Sequence, residues 1–277
     1  MEQTPEPLYI PRAMRLVQAI EENALEKTFV FDLLDGKPMP YRAGQFVMLT
    51  VFEAGEAPFT LCSMPGQQPR VQLTVRRYPG GRVTEALHQM QPGQYAGIRG
   101  PFGNGFPLER LVGRDVLVVA GGIGMAPQRG VIEAILSDRE RFGRLIVFYG
   151  MASPEQMLYR DLMAQWLERD DLELHLTIDR PHPQWEGHVG LVTTLFQDIR
   201  VDPERLCITI VGPPVMYPFV AAECEKLGVP DENIFVSLER RMACGVGKCG
   251  HCAIKGVYVC IDGPVFTLAQ FREFGEG

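Results

Sequence analysis

Four of the seven cysteines in this 277-residue chain crowd into residues 244–260, spaced Cys244-x4-Cys249-x2-Cys252-x7-Cys260. The stretch around them, residues 239–277, is dense in Cys and Gly and too short to build a hydrophobic core. A segment of that kind needs a metal centre to order it. The other cysteines, Cys62, Cys207 and Cys224, are scattered. A disulfide framework spreads its cysteines more widely, and clustered cysteines in a chain without a secretory signal point to metal binding. Glu21, Glu22, Glu26 and Lys27 interrupt every apolar stretch near the start, so no signal is expected. The expected compartment is a reducing cytoplasm.

The opening of the pattern, C-x4-C-x2-C, matches the spacing that holds a plant-type [2Fe–2S] cluster. Gly245, Gly247 and Gly250 lie between the ligands. Sulfides and thiolates need backbone N–H donors nearby, and glycine lets the backbone wrap closely. A structural zinc ribbon pairs two C-x2-C knuckles, whereas this chain has one, with other gaps unsuited to the ribbon. His251 reads as a neighbour of the ligands, since four cysteines complete the set. Cys244, Cys249, Cys252 and Cys260 are therefore the expected metal ligands.

The length exceeds one ordinary core and fits two domains plus an appendage. Hydrophobic residues make up 46%, so burial is not limiting. Residues 8 to about 106 carry short aliphatic and aromatic runs, Arg15–Ile20, Thr28–Leu34, Gln45–Phe52 and Val71–Arg77, punctuated by glycines. That spacing predicts a barrel or sandwich, with one helix over Val83–Met90. From residue 108 the pattern changes. Strands at Val116–Ala120, Leu145–Tyr149, Leu174–Ile178, Leu206–Val211 and Ile234–Ser237 alternate with helices near Pro127–Leu136, Pro154–Glu168 and Val215–Leu227. Alternation of this kind predicts a parallel sheet with helices on both faces. The expected divisions are 1–108, 109–238 and 239–277. The net charge of −7 disfavours nucleic acid and acidic lipid surfaces. No apolar window approaches the length of a membrane span.

Two glycine loops have the geometry of phosphate cradles. Val116–Ala120 runs into Gly121-Gly122-Ile123-Gly124-Met125-Ala126-Pro127: a strand, glycines, then a helix start, which presents N–H groups to a pyrophosphate. A tight turn without ligand is the plain alternative. Gly80-Gly81-Arg82-Val83-Thr84 opens the helix of the β-rich half and reads either as a second phosphate loop or as a hairpin turn. Arg76 and Arg77 lie just upstream and either add charge to the same phosphates or form a solvated strand face. Ala57-Pro58-Phe59-Thr60-Leu61-Cys62-Ser63 reads, on residue types alone, as a barrel strand.

The order of these motifs resembles the ferredoxin–NADP reductase superfamily from about residue 8 to 266. The cysteine tail, with Tyr258-Val259-Cys260-Ile261-Asp262-Gly263-Pro264-Val265-Phe266 after it, is similar to one branch. That branch contains the gamma subunits of cytoplasmic nickel–iron hydrogenases (sulfhydrogenases) and the related flavin-binding subunit of anaerobic sulfite reductase. The dihydroorotate dehydrogenase electron-transfer subunit is a cousin whose last cysteine gap is typically longer. The resemblance implies an FAD-binding β-barrel, a Rossmann-like α/β domain for NAD(H) or NADP(H), and a C-terminal [2Fe–2S] segment. It places Pro58, Phe59, Thr60 and Leu61 along the isoalloxazine and ribityl chain. Gly81, Val83 and Thr84 fall on the flavin pyrophosphate, with Arg76 or Arg77 near the flavin phosphates or adenosine. Gly121, Gly122, Gly124 and Pro127 fall on the nicotinamide pyrophosphate, and Gly212, Pro213 and Met216 beside the nicotinamide. The chain departs from the pattern at Ala57, where Arg is usual, at Phe59 and Thr60 for Tyr and Ser, and at Val211 for Cys. Met151-Ala152 follows Tyr149-Gly150 where many relatives carry Arg, a loss that bears on a 2′-phosphate.

The resemblance thus implies an electron-transfer (diaphorase) subunit that moves electrons between NAD(P)H, FAD and a [2Fe–2S] cluster. Its partners would be iron–sulfur and terminal redox subunits of a hetero-oligomeric complex, such as a hydrogenase or a sulfur, sulfite or heterodisulfide reductase. The alternatives are a dihydroorotate dehydrogenase electron-transfer subunit, a stand-alone ferredoxin reductase, or a non-catalytic redox-sensing module. No general acid–base pair stands out, so no catalytic residue is assigned; Glu239 either reaches the flavin or lies on the surface. Pro264-Val265-Phe266 and Leu268 either form an apolar docking edge or pack back on the chain's own domains.

Overall fold

The computed structural model describes residues 8–64, 68–197 and 199–275. Its first part is an antiparallel barrel of six strands: β1 Arg12–Glu21, β2 Glu26–Leu33, β3 Phe46–Val51, β4 Gly55–Thr60, β5 Arg70–Arg76 and β6 Tyr95–Phe102. The spatial order is β4-β3-β6-β1-β2-β5, and a bridge from Leu61 to Leu73 joins the two ends. Side chains of alternate residues point inward, as strand geometry requires. Met14 and Leu16 of β1, Phe29 and Phe31 of β2, and Val47 and Leu49 of β3 fill the interior. Helix α1, Arg82–Gln89, buries Leu87 in the same core.

β6 is absent from the sequence expectation because Gly97, Gly100 and Pro101 disguise it as a loop. The first of these glycines has a steric reason. A Cβ on Gly97 would lie 2.9 Å from the Pro11 ring and 3.3 Å from Thr50, so the strand reaches its neighbours only without one.

A short helix α2, Leu108–Leu111, leads into the second part. Here β7 Asp115–Gly121, β8 Leu145–Met151, β9 Glu173–Ile178, β10 His188–Val189, β11 Leu206–Val211 and β12 Ile234–Ser237 lie parallel in the order β10-β9-β8-β7-β11-β12. Apart from Asp115 at the start of β7 and Thr209 in β11, β7, β8 and β11 are built of apolar residues, Gly and Tyr149 and are almost fully buried, as strands covered on both faces must be. Helices α3 Met125–Ser137, α4 Arg160–Leu167 and α5 Met216–Lys226 supply the cover. Two apolar clusters, one on each face, form the core.

The helix expected over 154–168 is broken in two. A 3-10 turn at Pro154–Gln156 is separated from α4 by Tyr159, whose φ is 53°. Tertiary contacts override helix propensity at that point. The Tyr159 hydroxyl lies 2.5 Å from the Thr74 hydroxyl on β5, and its backbone N–H donates to Glu22 Oε2 at 2.8 Å. Thr28 completes this seam between the two parts, 2.7 Å from Thr74 and 2.6 Å from Glu22.

The C-terminal segment begins with a small hairpin, β13 Ala253–Ile254 and β14 Val257–Tyr258, followed by α6 Val259–Asp262. It then returns as β15 Val265–Thr267, which pairs antiparallel with β12 and becomes the seventh strand of the large sheet. Helix α7, Leu268–Glu273, ends the described chain and opens on a Thr267–Gln270 capping box. Val265, Phe266, Leu268 and Phe271 are all at most 4% exposed. Of the two readings of Pro264–Leu268, the structure therefore takes the inward one. A docking edge made of these side chains is excluded because they are spent in the core. Among the described residues no helix is long and apolar enough to cross a membrane.

Candidate functional site

One cleft gathers residues from all three parts of the chain. Its walls include Pro58, Phe59, Thr60 and Arg76 from the barrel, Gly124 and Pro127 from the loop after β7, and Glu239, Arg240 and Met242 from just before the first clustered cysteine. The topology explains the convergence. β4 is an edge strand, so Pro58 can sit in it without removing a needed ladder donor. The loops after β7, β11 and β12 lie at the C-terminal ends of parallel strands, where open α/β sheets bind their ligands.

Leu61 does not reach this cleft. It is 0% exposed, bridged to Leu73, and packed in the barrel core. Of the stretch Pro58–Leu61, the first three residues line the cleft, and the Leu61 side chain is turned into the barrel core. Arg77 is exposed and outside the cleft lining, whereas Arg76 lines it. Arg76 is held by Glu26, its cross-strand partner on β2, through Nε and Nη2 contacts of 2.5 Å to Glu26 Oε1. Glu26 is 1% exposed, and its Oε2 has no hydrogen-bond partner within the protein. The guanidinium is therefore fixed at the cleft wall, with Nη1 outside the contacts to Glu26.

The two loops expected for phosphates differ in detail. At Gly80-Gly81, a Cβ on Gly80 would meet nothing within 4 Å, while one on Gly81 would lie 3.0 Å from the Tyr78 carbonyl. Gly80 N–H donates to Glu85 Oε1 and Gly81 N–H to the Tyr78 carbonyl, both at 2.9 Å, so the N–H groups left open to an anion are those of the first turn of helix α1, which has no side-chain cap. The Thr84 hydroxyl accepts from Tyr78 N–H at 3.3 Å and donates to the Gly81 carbonyl at 3.1 Å. It shapes the loop, and the open donors are backbone. Val83 packs partly buried against the barrel core.

After β7, a 3-10 turn at Gly122–Gly124 runs into α3, again without a side-chain cap. Gly122 has φ +52° and open space on its Cβ side. Gly121, Gly124 and Gly212 are small for packing reasons. A Cβ on Gly121 would lie 2.7 Å from Met216 Sδ and 3.1 Å from the Pro213 ring. One on Gly124 would fall into the Val211 carbonyl, 2.6 Å from its carbon. The loops after β7 and β11 thus touch backbone to backbone, with Met216 filling the gap above them. Glu239 lies in the cleft wall although its residue surface remains largely exposed. The desolvating surroundings push its carboxyl above the usual range, and Arg76 pulls the other way. Sequence reasoning missed Ser237, Arg240, Met242 and Tyr78 as cleft residues. Ser237 was findable, because it ends a parallel strand at the ligand-binding edge of the sheet.

The four clustered cysteines come together beside this cleft. Cys249 neighbours Cys244, and Cys260 neighbours Cys252, so the set forms two neighbouring pairs. The seven-residue gap is the hairpin: Lys255 and Gly256 turn it with φ of 44° and 87°, which returns the chain beside Cys252. Backbone N–H groups of Val246 and Lys248 donate to Cys244 Sγ at 3.4 and 3.3 Å, and Gly247 donates to Cys260 Sγ at 3.1 Å. Cys252 and Cys260 are 1% exposed, and Cys249 is exposed. Paired thiols with N–H donors already aimed at sulfur fit a [2Fe–2S] cluster, two thiolates to each iron. Among the described residues no three His, Cys, Asp or Glu side chains converge as a single metal ion would require. The buried face points to the protein and the Cys249 face to solvent.

Family profiles match all three parts: the oxidoreductase FAD-binding domain over residues 13–106, the oxidoreductase NAD-binding domain over 118–222, and the iron–sulfur cluster binding domain of dihydroorotate dehydrogenase B over 239–272. The chain is 37% identical over 272 residues to sulfhydrogenase 2 subunit gamma of Pyrococcus furiosus, covering 91% of this chain and 93% of that one. It is 31% identical over 271 residues to the probable dihydroorotate dehydrogenase B (NAD(+)) electron transfer subunit of Methanocaldococcus jannaschii, covering 96% and 94%. Among solved structures, the NADH-dependent reduced ferredoxin-NADP oxidoreductase shares the fold over 100% of this chain and 97% of that chain, with TM-score 0.73 and 23% identity. With FAD-binding, NAD-binding and iron–sulfur parts in that order, the chain belongs to the ferredoxin reductase-like family of oxidoreductase electron-transfer subunits that includes the sulfhydrogenase gamma and dihydroorotate dehydrogenase B electron-transfer subunits.

Proposed function

We propose that this chain takes hydride from NADH and sends the electrons one at a time through its cluster to a partner redox enzyme. The observation that carries the reading is the single cleft walled by the flavin strand, the loop after β7 and the residues leading into Cys244. A bound flavin accepts two electrons and one proton as hydride, and releases electrons singly to a centre that takes only one. The chain's own residues orient and exclude. Pro58, Phe59 and Thr60 support the flavin ring, and Arg76 takes a flavin phosphate. Gly81, whose N–H turns back onto the Tyr78 carbonyl at 2.9 Å, shapes the loop, and the N–H groups at Val83 and Thr84 hold the flavin pyrophosphate. Gly121, Gly122, Gly124 and Pro127 hold the nicotinamide pyrophosphate, while Gly212, Pro213 and Met216 bound the nicotinamide. Cys244, Cys249, Cys252 and Cys260 hold the cluster. These assignments divide the work among 1–108, 109–238 and 239–277, with β15 lent back to the sheet.

NADH is favoured over NADPH by the chemistry after β8. Glu155 carries a carboxylate there, 3.2 Å from His182. Arg160 is engaged by the Pro154 carbonyl. Arg160, with donors to spare, and Arg180, exposed just after β9, are the guanidiniums that would have to meet a 2′-phosphate, and no arginine stands at 152, where the resemblance puts one. The partner we favour is a hydrogenase or a sulfur, sulfite or heterodisulfide reductase in the cytoplasm, supported by the likeness to the sulfhydrogenase gamma subunit. The dihydroorotate dehydrogenase reading has its own support in the cluster-domain profile over 239–272. The short Cys252-x7-Cys260 gap favours the first.

The test is anaerobic. The isolated chain should contain one FAD and two irons, and NADH should bleach the flavin before an EPR signal from the reduced cluster grows. A flavin that NADH leaves oxidised would return the chain to the non-catalytic module.

A further inference from the structure

The cluster loop is tied to the flavin barrel by a buried arginine that is paired with a partly buried carboxylate. Arg99, on β6, is 8% exposed. Its guanidinium meets Glu56 as a bidentate fork, Nε to Oε1 at 2.8 Å and Nη2 to Oε2 at 2.5 Å. Nη2 also donates to the backbone carbonyl of Cys244 at 3.2 Å, and Nη1 to that of Leu8 at 3.0 Å. Glu56 is on β4, two residues before Pro58, and Thr50 steadies its Oε1 at 3.1 Å. β3 lies between β4 and β6, so the fork spans it. A second observation shows how closely the loop is seated. A Cβ on Gly245, whose φ is +75°, would lie 3.0 Å from Met48 Cγ and 3.0 Å from the Phe102 ring.

We propose that the Arg99–Glu56 pair positions the Cys244 ligand against the flavin strand and sets the charge felt by the cluster. The proposal rests on the reading of Cys244 as a cluster ligand. Each electron that enters adds one negative charge beside this pair, and local charge and hydrogen bonding tune such potentials. Intact, the pair is neutral, and charge in a partly desolvated place is felt strongly. Removing the carboxylate leaves a cation that favours the reduced cluster. Removing the guanidinium leaves an anion that disfavours it. Arg99 and Glu56 are thus positioning residues whose loss acts in opposite directions.

The experiment is a potentiometric titration of the purified chain followed by EPR, with iron measured on each sample. Glu56→Gln is nearly isosteric and should move the cluster potential upward, with iron content unchanged. Arg99→Gln should move it downward, and flavin-to-cluster transfer should slow about tenfold or more while NADH still bleaches the flavin. Arg99→Lys restores the charge without the fork, and should return the potential toward the parent value while transfer stays slow. Unchanged potentials and g-values in all three variants would overturn the proposal. So would a shift of the same sign in Glu56→Gln and Arg99→Gln, which is what simple loosening would produce. A parent chain without iron would instead defeat the cluster reading itself, and the proposal with it.

Discussion

Adding one methyl group at Gly124 should slow hydride transfer about a hundredfold while leaving both redox groups in place. The loops after β7 and β11 meet at that point, and the new Cβ would lie 2.6 Å from the Val211 carbonyl carbon and 2.9 Å from Gly212 N. Both are backbone atoms that no rotamer change can move aside. Carbon atoms prefer a separation of about 3.5 Å, so the loops must part by about 0.9 Å. Misplacing a reacting group by about 1 Å costs roughly a hundredfold in rate, or about 2.7 kcal/mol of barrier. Gly124 lines the cleft, whereas Gly80–Thr84 and the cysteines belong to other elements. Gly124→Ala should therefore slow NADH-driven bleaching about a hundredfold in anaerobic stopped flow, with flavin content and the dithionite-reduced EPR signal unchanged. Gly122→Ala is the control. It meets no atom within 4 Å and bears only the strain of φ +52°, so its loss should be smaller. A folded Gly124→Ala protein that bleaches within threefold of the parent rate would refute the argument that the close approach of these loops sets the nicotinamide position.

Cys249→Ser should lose or damage the cluster, read as iron and EPR signal, and leave bleaching by NADH largely intact, since Cys249 is exposed and outside the cleft lining. Loss of bleaching with FAD still bound would contradict that. Leu61→Ala should destabilise the protein by about 2–5 kcal/mol, visible as a lower Tm, because the site is a filled barrel core and not a ligand wall. kcat/KM should favour NADH over NADPH by tenfold or more, about 1.4 kcal/mol, and a tenfold preference for NADPH would reverse the reading of Glu155 and Arg160.

The iron–sulfur segment over 239–272 was legible because clustered cysteines at this spacing serve metal binding and little else. Strands such as β7 and β8 were legible because a sheet covered on both faces demands unbroken apolar runs. What escaped was decided at a distance. β6 looked like a loop until Gly97 was seen to let Pro11 and Thr50 approach. The break at Tyr159 follows from Thr74 and Glu22, which are 85 and 137 residues away. The same holds within the site. Glycines that read as nucleotide contacts, at 121 and 124 for the pyrophosphate and at 212 beside the nicotinamide, are required first by the closeness of two neighbouring loops. Arg99 and Glu56 carry no motif, and only the register of β3, β4 and β6 brings them to Cys244.

The pairing of β15 with β12 orders events during synthesis. Until residues 265–267 emerge from the ribosome, β12 presents an unpaired edge, and such edges template aggregation. The strand that covers it comes after the last cysteine, so the nicotinamide sheet is completed by the same segment that carries the metal ligands. A shortened chain, cut before Cys244 to obtain a cluster-free reductase, would keep every nucleotide loop and still lose the cover of its own sheet. It would need a substitute edge strand, or charged residues on β12, before it stayed in solution.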